Sequence, residues 1–144
     1  MPMRRLSDIC KNQHLVSVTP GTTVREAARR MADAHVGTVL VIEQGQLKGI
    51  LSERDFVQRI VAESRDPDTT LTAEVMTPKP YGLDGRKTGL NALALMHEHG
   101  IRHIAVTGLE GEGFGVVSIR DFVSAELHAA EEVEAQKQEL WEHV

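Results

Sequence analysis

The sequence predicts a mixed α/β (α+β) protein made of two copies of one β-α-β-β-α unit packed on each other. Three observations carry this. The run Gly49-Ile50-Leu51-Ser52-Glu53-Arg54-Asp55-Phe56-Val57 recurs as Gly115-Val116-Val117-Ser118-Ile119-Arg120-Asp121-Phe122-Val123, with Gly, Ser, Arg, Asp, Phe and Val repeated 66 positions on (115 − 49). Each copy carries the same alternation of strand and helix patterns. With 144 residues the chain holds two units of about 60 residues, each too small to bury more than about 60% of its unfolded surface alone. The two copies are therefore expected to share a core.

In the first copy Leu15 to Val18 reads as a β-branched strand, and Pro20-Gly21 makes a turn with Thr22 or Thr23 as helix cap. Val24, Ala27, Ala28 and Met31 then share one helical face, while Arg25, Glu26, Arg29 and Arg30 point to water. Thr38 to Ile42 and Leu47 to Leu51 are strands joined by a turn around Gly45, and Ser52 opens a second helix through Val61. The second copy repeats this with Tyr81 to Leu83, a helix from Thr88 to Glu98, strands His103 to Thr107 and Phe114 to Val117, and a helix from Ser118 onward.

Upstream of the motif the offset is 65, matching Thr23 with Thr88, Ala27 with Ala92, Met31 with Met96 and Val41 with Val106, so one residue is added in the second hairpin. Gly89, where the first copy has Val24, weakens the start of its helix. These signals divide the chain into a first repeat over 1–64, a polar linker over 65–73, a second repeat over 74–126 and a helical tail over 127–144.

Composition sets the limits of function. The chain is 41% hydrophobic and 26% charged, ordinary values for a globular protein. A net charge of −5 and a pI near 5.8 provide no overall attraction for a phosphate backbone, so nucleic acid is not an expected partner. The single Cys10 has no internal disulfide partner, there is no signal-peptide pattern, and no apolar run approaches the roughly 20 residues of a membrane span. The expected compartment is the cytoplasm, with no membrane contact.

With the repeat in view, Ser52-Glu53-Arg54-Asp55 and the segment Glu74-Val75-Met76-Thr77-Pro78 give the chain a recognisable character. It resembles the cystathionine-β-synthase (CBS) domain family over about residues 6 to 126, and is most similar to small stand-alone bacterial CBS pairs. The resemblance implies two repeats packed as a pseudo-two-fold disc, to which the chain adds a C-terminal helical extension read from its final helix, expected to continue beyond about Glu126. It also implies a regulatory sensor, not an enzyme, that binds an adenine nucleotide such as AMP, ADP or ATP in the clefts between repeats. Such proteins commonly form homodimers and signal to a protein target. Ala105 departs from the pattern, because family members often carry proline there.

The paired motif has two readings. Ser52-x-x-Asp55 and Ser118-x-x-Asp121 match a helix-capping pattern. However, Arg54 and Arg120 fall in the first helical turn, where the dipole disfavours cations, and a positive side chain placed there twice points to an anion such as a ligand phosphate. A carboxylate accepts hydrogen bonds from both hydroxyls of a ribose, which suits Asp55 and Asp121; the resemblance implies the same contact. Gly49 and Gly115 permit either a close backbone approach or an ordinary turn into a strand.

The strand entries Val36-Gly37-Thr38 and Ile101-Arg102-His103 supply apolar walls for a base, with Arg102 and His103 as phosphate contacts or as plain surface and strand residues. With 3% aromatic residues, the base pocket is expected to be mainly aliphatic. The candidate ligand-binding set is thus Val36, Gly37, Thr38, Ser52, Arg54, Asp55, Ile101, Arg102, His103, Ser118, Arg120 and Asp121.

Other chemistry is weakly supported. His97, His99 and His103, with Cys10 and His14, contain metal-binding elements, but no spacing matches a zinc pattern, and His97 and His99 point about 200° apart on a helix. No nucleophile elbow, P-loop or HExxH motif is present, and no catalytic residue, catalytic cofactor or metal is expected. A purely structural interaction module remains the rival reading, followed by a metal or redox sensor built on Cys10 and the histidines. In the acidic tail Leu127, Val133, Leu140 and Trp141 offer apolar contacts, and a homodimer is expected in which this terminal helix packs on the partner or braces its own disc.

Overall fold

A computed structural model describes residues 4–122 of the chain. The elements run α1 (Leu6–Ile9), β1 (Ser17–Val18), α2 (Val24–Ala34), β2 (Thr38–Glu43), β3 (Gln46–Ser52) and α3 (Glu53–Asp55), which continues as a π-helical stretch, Phe56–Val61. Then come α4 (Thr72–Val75), β4 (Thr77–Pro78), β5 (Gly82–Asp84), α5 (Gly89–His99), β6 (His103–Leu109) and β7 (Gly113–Ser118). Residues 119–122 begin a further helix. The expected β-α-β-β-α unit is present twice. The tail positions Leu127, Val133, Leu140 and Trp141 lie outside the described residues.

Local sequence explains the elements. Thr23 caps α2 by accepting from the Glu26 amide, and Thr88 and Asn91 cap α5 reciprocally, the Asn91 carboxamide accepting from the Thr88 amide at 3.0 Å. Val24, Ala27 and Met31 of α2 are buried, as are Gly89, Ala92 and Met96 of α5. Gly89 does not spoil its helix. A Cβ there would sit 2.8 Å from the ring of Phe122, so the missing side chain makes room for an aromatic that packs into the second core. The first hairpin turns on Gln44 and Gly45, both at positive φ as a tight two-residue turn requires. The extra residue of the second copy lies in its hairpin, where Val106 pairs with Gly115 while Val41 pairs with Gly49. Ser52 to Val61 is not one α-helix: Ala62 and Arg65 donate to Val57 and Ile60, five residues back.

The sheets are ordered β1-β2-β3-β4 and β5-β6-β7. In each, the first strand runs parallel to the second and the second antiparallel to the third. The first sheet gains β4 from the chain that leads into the second copy, with Gly49 opposite Pro78 and Ile50 opposite Thr77. On the second sheet the carboxamide of Gln13 does the corresponding work: its Nε2 donates to the Val116 carbonyl at 2.7 Å and its Oε1 accepts from the Val116 amide at 2.9 Å.

The copies do not share the single core expected of them: each sheet keeps its own, and the two are interlocked by exchanged segments. Val75 of α4, at the head of the second copy, is buried in the first core with Val18, Met31, Val41 and Leu51. Leu6 and Cys10, at the head of the first copy, are buried in the second core with Met96, Ile104, Val106 and Val117. The backbone follows the same pseudo-two-fold. Thr72 donates to Thr22 at 2.8 Å as Leu6 donates to Lys87 at 2.8 Å, and Val24 donates to Thr70 at 2.9 Å as Gly89 donates to Arg4 at 2.9 Å.

The motif glycines make this exchange possible. A Cβ on Gly49 would lie 2.6 Å from Met76 Sδ and 2.9 Å from the Thr77 oxygen, and one on Gly115 would lie 2.8 Å from Cys10 Sγ. Both glycines therefore serve close approach of the crossing segment.

Leu6, fully buried against the other copy, is the direct test of interlocking. Leu6→Ala should cost about 2–5 kcal/mol in urea unfolding, as for a central core leucine. A cost near zero would mean that the second copy closes its own core.

Candidate functional site

The interlocking brings β3 of the first copy, the crossing segment and β6–β7 of the second copy around one cleft of about 1030 Å³. Ser52, Arg54 and Asp55 line it from the first copy, Ile101, Arg102 and His103 from the start of β6, and Ser118 and Arg120 from the end of β7. Gly37 lines it too, because its lack of a Cβ admits the Glu53 carboxylate, whose Cδ would lie only 3.3 Å from such an atom. The cleft is thus composite, combining the signature of one repeat with the strand entry of the other.

Three sequence candidates do not line it. Val36 packs against the first core. Thr38 is buried in β2 opposite Ser52, its Oγ1 without a hydrogen-bond partner among the described residues. Asp121 folds back onto Ser118. These three are the pseudo-two-fold counterparts of Ile101, His103 and Asp55.

Both aspartates work as caps. Asp55 Oδ2 accepts from the Ser52 amide at 2.8 Å and the Ser52 hydroxyl at 3.2 Å; Asp121 Oδ2 accepts from the Ser118 amide at 2.7 Å and its hydroxyl at 3.4 Å. The capping reading is therefore realised in both copies, and it leaves the second carboxylate oxygen of each for other work. For Asp55 that oxygen faces Arg59, whose Nε is 3.6 Å away. The Arg59 Nη1 also donates to the carbonyls of Val75 and Met76 at 2.9 and 3.1 Å, so this one side chain joins the cleft to the crossing segment.

The charge in the cleft is one-sided. Arg54, Arg59, Lys79, Arg102 and Arg120 face Glu53 and Asp55, five cations against two carboxylates. Of the five, Arg59 alone has a carboxylate partner within 4.0 Å among the described residues. Such an excess favours a ligand with several negative charges.

Sequence reasoning missed Arg59, Lys79 and Tyr81. The spacing of Arg59 four residues after Asp55 was a usable helix ion-pair signal, whereas Lys79 and Tyr81 sit in a proline-interrupted stretch without periodicity.

His99 stacks on Tyr81, and no group of three or more metal-ligating side chains occurs among the described residues. Cys10 is buried under the second sheet; burial, and secondarily the charge of Asp121, push its thiol up to about 11. It is a protonated core residue, poorly suited to metal or redox chemistry at neutral pH.

His103 is held below the ordinary histidine range, first by burial, with Asp121 and Glu53 opposing and Arg120 and Arg102 reinforcing. It is neutral at pH 7. Because the unfolded chain takes up this proton near pH 6.5 and the folded chain does not until lower pH, His103 costs stability as pH falls through that window. Urea unfolding at several pH values should show the stability of the wild type relative to His103→Gln decreasing below about pH 6.5. A constant difference would contradict the burial of a neutral imidazole.

Comparison with known proteins agrees with this geometry. The CBS domain family model matches residues 6–62 and 72–128. The chain is 34% identical to the CBS domain-containing protein YhcV of Bacillus subtilis, over 74% of this chain and 75% of that protein. It is 31% identical to the CBS domain-containing protein CBSCBSPB3 of Arabidopsis thaliana over 85% of its own length, but spans only 22% of that larger protein. Its fold superposes with a TM-score of 0.73 on the CBS domain protein PAE2072 from Pyrobaculum aerophilum complexed with AMP, at 30% identity and covering 81% of this chain and 88% of that one. None of the described helices is long and apolar enough to cross a membrane. The two matched copies, the interlocked sheets and the composite cleft together place the chain in the CBS-domain family, as a tandem pair of the kind that forms a regulatory module.

Proposed function

We propose that the protein is a regulatory sensor that binds an adenine nucleotide in the cleft between its two repeats. One observation carries the reading: a cleft of about 1030 Å³ holds five cationic side chains and the signature serine and aspartate, all contributed across the interlocked copies. Arg54, Arg102, Arg120 and Lys79 are the contacts for phosphate oxygens. The Asp55 oxygen not engaged by Ser52 accepts from the ribose hydroxyls. Ile50, Ile101, Pro78 and Pro80 supply apolar surface for the base. The AMP complex of the Pyrobaculum aerophilum relative supports the choice of ligand. By the pseudo-two-fold, Val36, Thr38, Ser118 and Asp121 belong to a second such position.

The output of binding is a change in how the two repeats sit on each other, passed to a protein target or a second copy of the chain. The exposed apolar residues Val57, Val61 and Leu90 on the helical surfaces are suited to a homodimer contact. No step of this function needs a catalytic group, and the protein acts as a regulator rather than an enzyme, in the cytoplasm.

Arg54 and Arg120 are exposed, so their removal tests binding without disturbing the core. In calorimetry AMP, ADP and ATP should bind the wild type, and Arg54→Ala and Arg120→Ala should each weaken binding about tenfold or more while the melting temperature without ligand stays unchanged. Absence of heat with all three nucleotides would overturn the sensor reading and leave an interaction module.

A further inference from the structure

The cleft contains one phenol ring. The chain has a single tyrosine, a single tryptophan and three phenylalanines. Phe56 and Phe122 pack against the first and second cores respectively, whereas Tyr81 lines the cleft and remains 48% exposed. Its ring lies against that of His99, with centroids 3.9 Å apart and planes 15° from parallel. His99 comes from the last turn of α5, so the stack joins the end of the crossing segment to a helix of the second copy.

The tyrosine is also anchored. Its carbonyl accepts from the Ala105 amide at 3.1 Å, and Pro80 and Pro78 restrict the backbone leading to it. An aromatic ring backed on one face, pinned through its backbone and left open at a cleft is preorganised to take a second flat ring on its free face.

We propose that Tyr81, backed by His99, is the platform on which the base of a cleft-bound nucleotide stacks, and that it makes the cleft prefer purines to pyrimidines. This rests on the nucleotide reading above and adds to it the residue that recognises the base. Stacking extends the Tyr81–His99 pair by a third ring, and a purine overlaps a phenol over more area than a pyrimidine does. Stacking is tolerant of substituents, so adenine and guanine are both accepted by this contact, and further discrimination belongs to other groups.

The single tyrosine makes the test direct. In the full chain labelled with 13C-tyrosine, AMP should shift the Tyr81 ring protons upfield through the ring current of the base, while ribose 5-phosphate, which lacks a base, should bind without that shift. In calorimetry Tyr81→Ala should weaken AMP about tenfold or more and leave ribose 5-phosphate unchanged; Tyr81→Phe should keep AMP within about twofold; CMP should bind the wild type more weakly than AMP. An unchanged ribose 5-phosphate affinity also shows that the variant is folded. AMP binding that neither shifts Tyr81 nor responds to Tyr81→Ala would overturn this platform while leaving the sensor intact. A wild type that binds none of these compounds would overturn both.

Discussion

Everything in this molecule depends on the close passage of a crossing segment over each motif glycine. Met76 and Thr77 run across Gly49, and Cys10 and Gln13 across Gly115, at distances that leave no space for a methyl group. That contact lets Val75 reach the first core and Leu6 the second. A unit of about 60 residues has too little interior to be comfortable alone. Exchanging one apolar segment each way gives both units a filled core, and it makes the surface between them a fixed part of the fold.

The cleft is a product of that exchange. Its walls come from the end of β3, the crossing segment 77–81, the start of β6 and the end of β7, so it exists only while the copies are locked together. Asp55 shows how one residue serves both demands. One carboxylate oxygen closes the helix start through Ser52, and the other faces the cleft beside Arg59. Arg59 in turn holds the carbonyls of Val75 and Met76. In the sensor proposed above, a ligand that draws on Asp55 would act on a side chain tied to the segment that joins the two cores, a physical route from an occupied cleft to the relation between repeats.

Much of this was legible in the residues because it was written twice. The repeated Gly-x-x-Ser-x-Arg-Asp, the helical faces built on Val24, Ala27 and Met31 and on Ala92 and Met96, and the one-residue slip in the second hairpin all have direct counterparts in the structure. What stayed hidden has physical reasons. The exchange of α1 and α4 leaves no periodic signal, since each is a single turn and its partner lies in the other copy. Gly89 reads as a weak helix start until Phe122 is seen filling the space beside it. The sequence also does not say which strand entry serves which position: Ile101 and His103 line the described cleft, whereas their counterparts Val36 and Thr38 do not. Tyr81 was overlooked because composition counts aromatics without placing them, and the fold sets this one ring at the edge of the cleft.

The central claim is that the two repeats form one interlocked unit, and native-state hydrogen exchange of the full chain across a urea series tests it most directly. The account predicts that the slowest amides of β2–β3 and of β6–β7 exchange through the same opening, with the same free energy and the same dependence on urea. Exchange of β6–β7 through a separate, less costly opening while β2–β3 stays protected would contradict it.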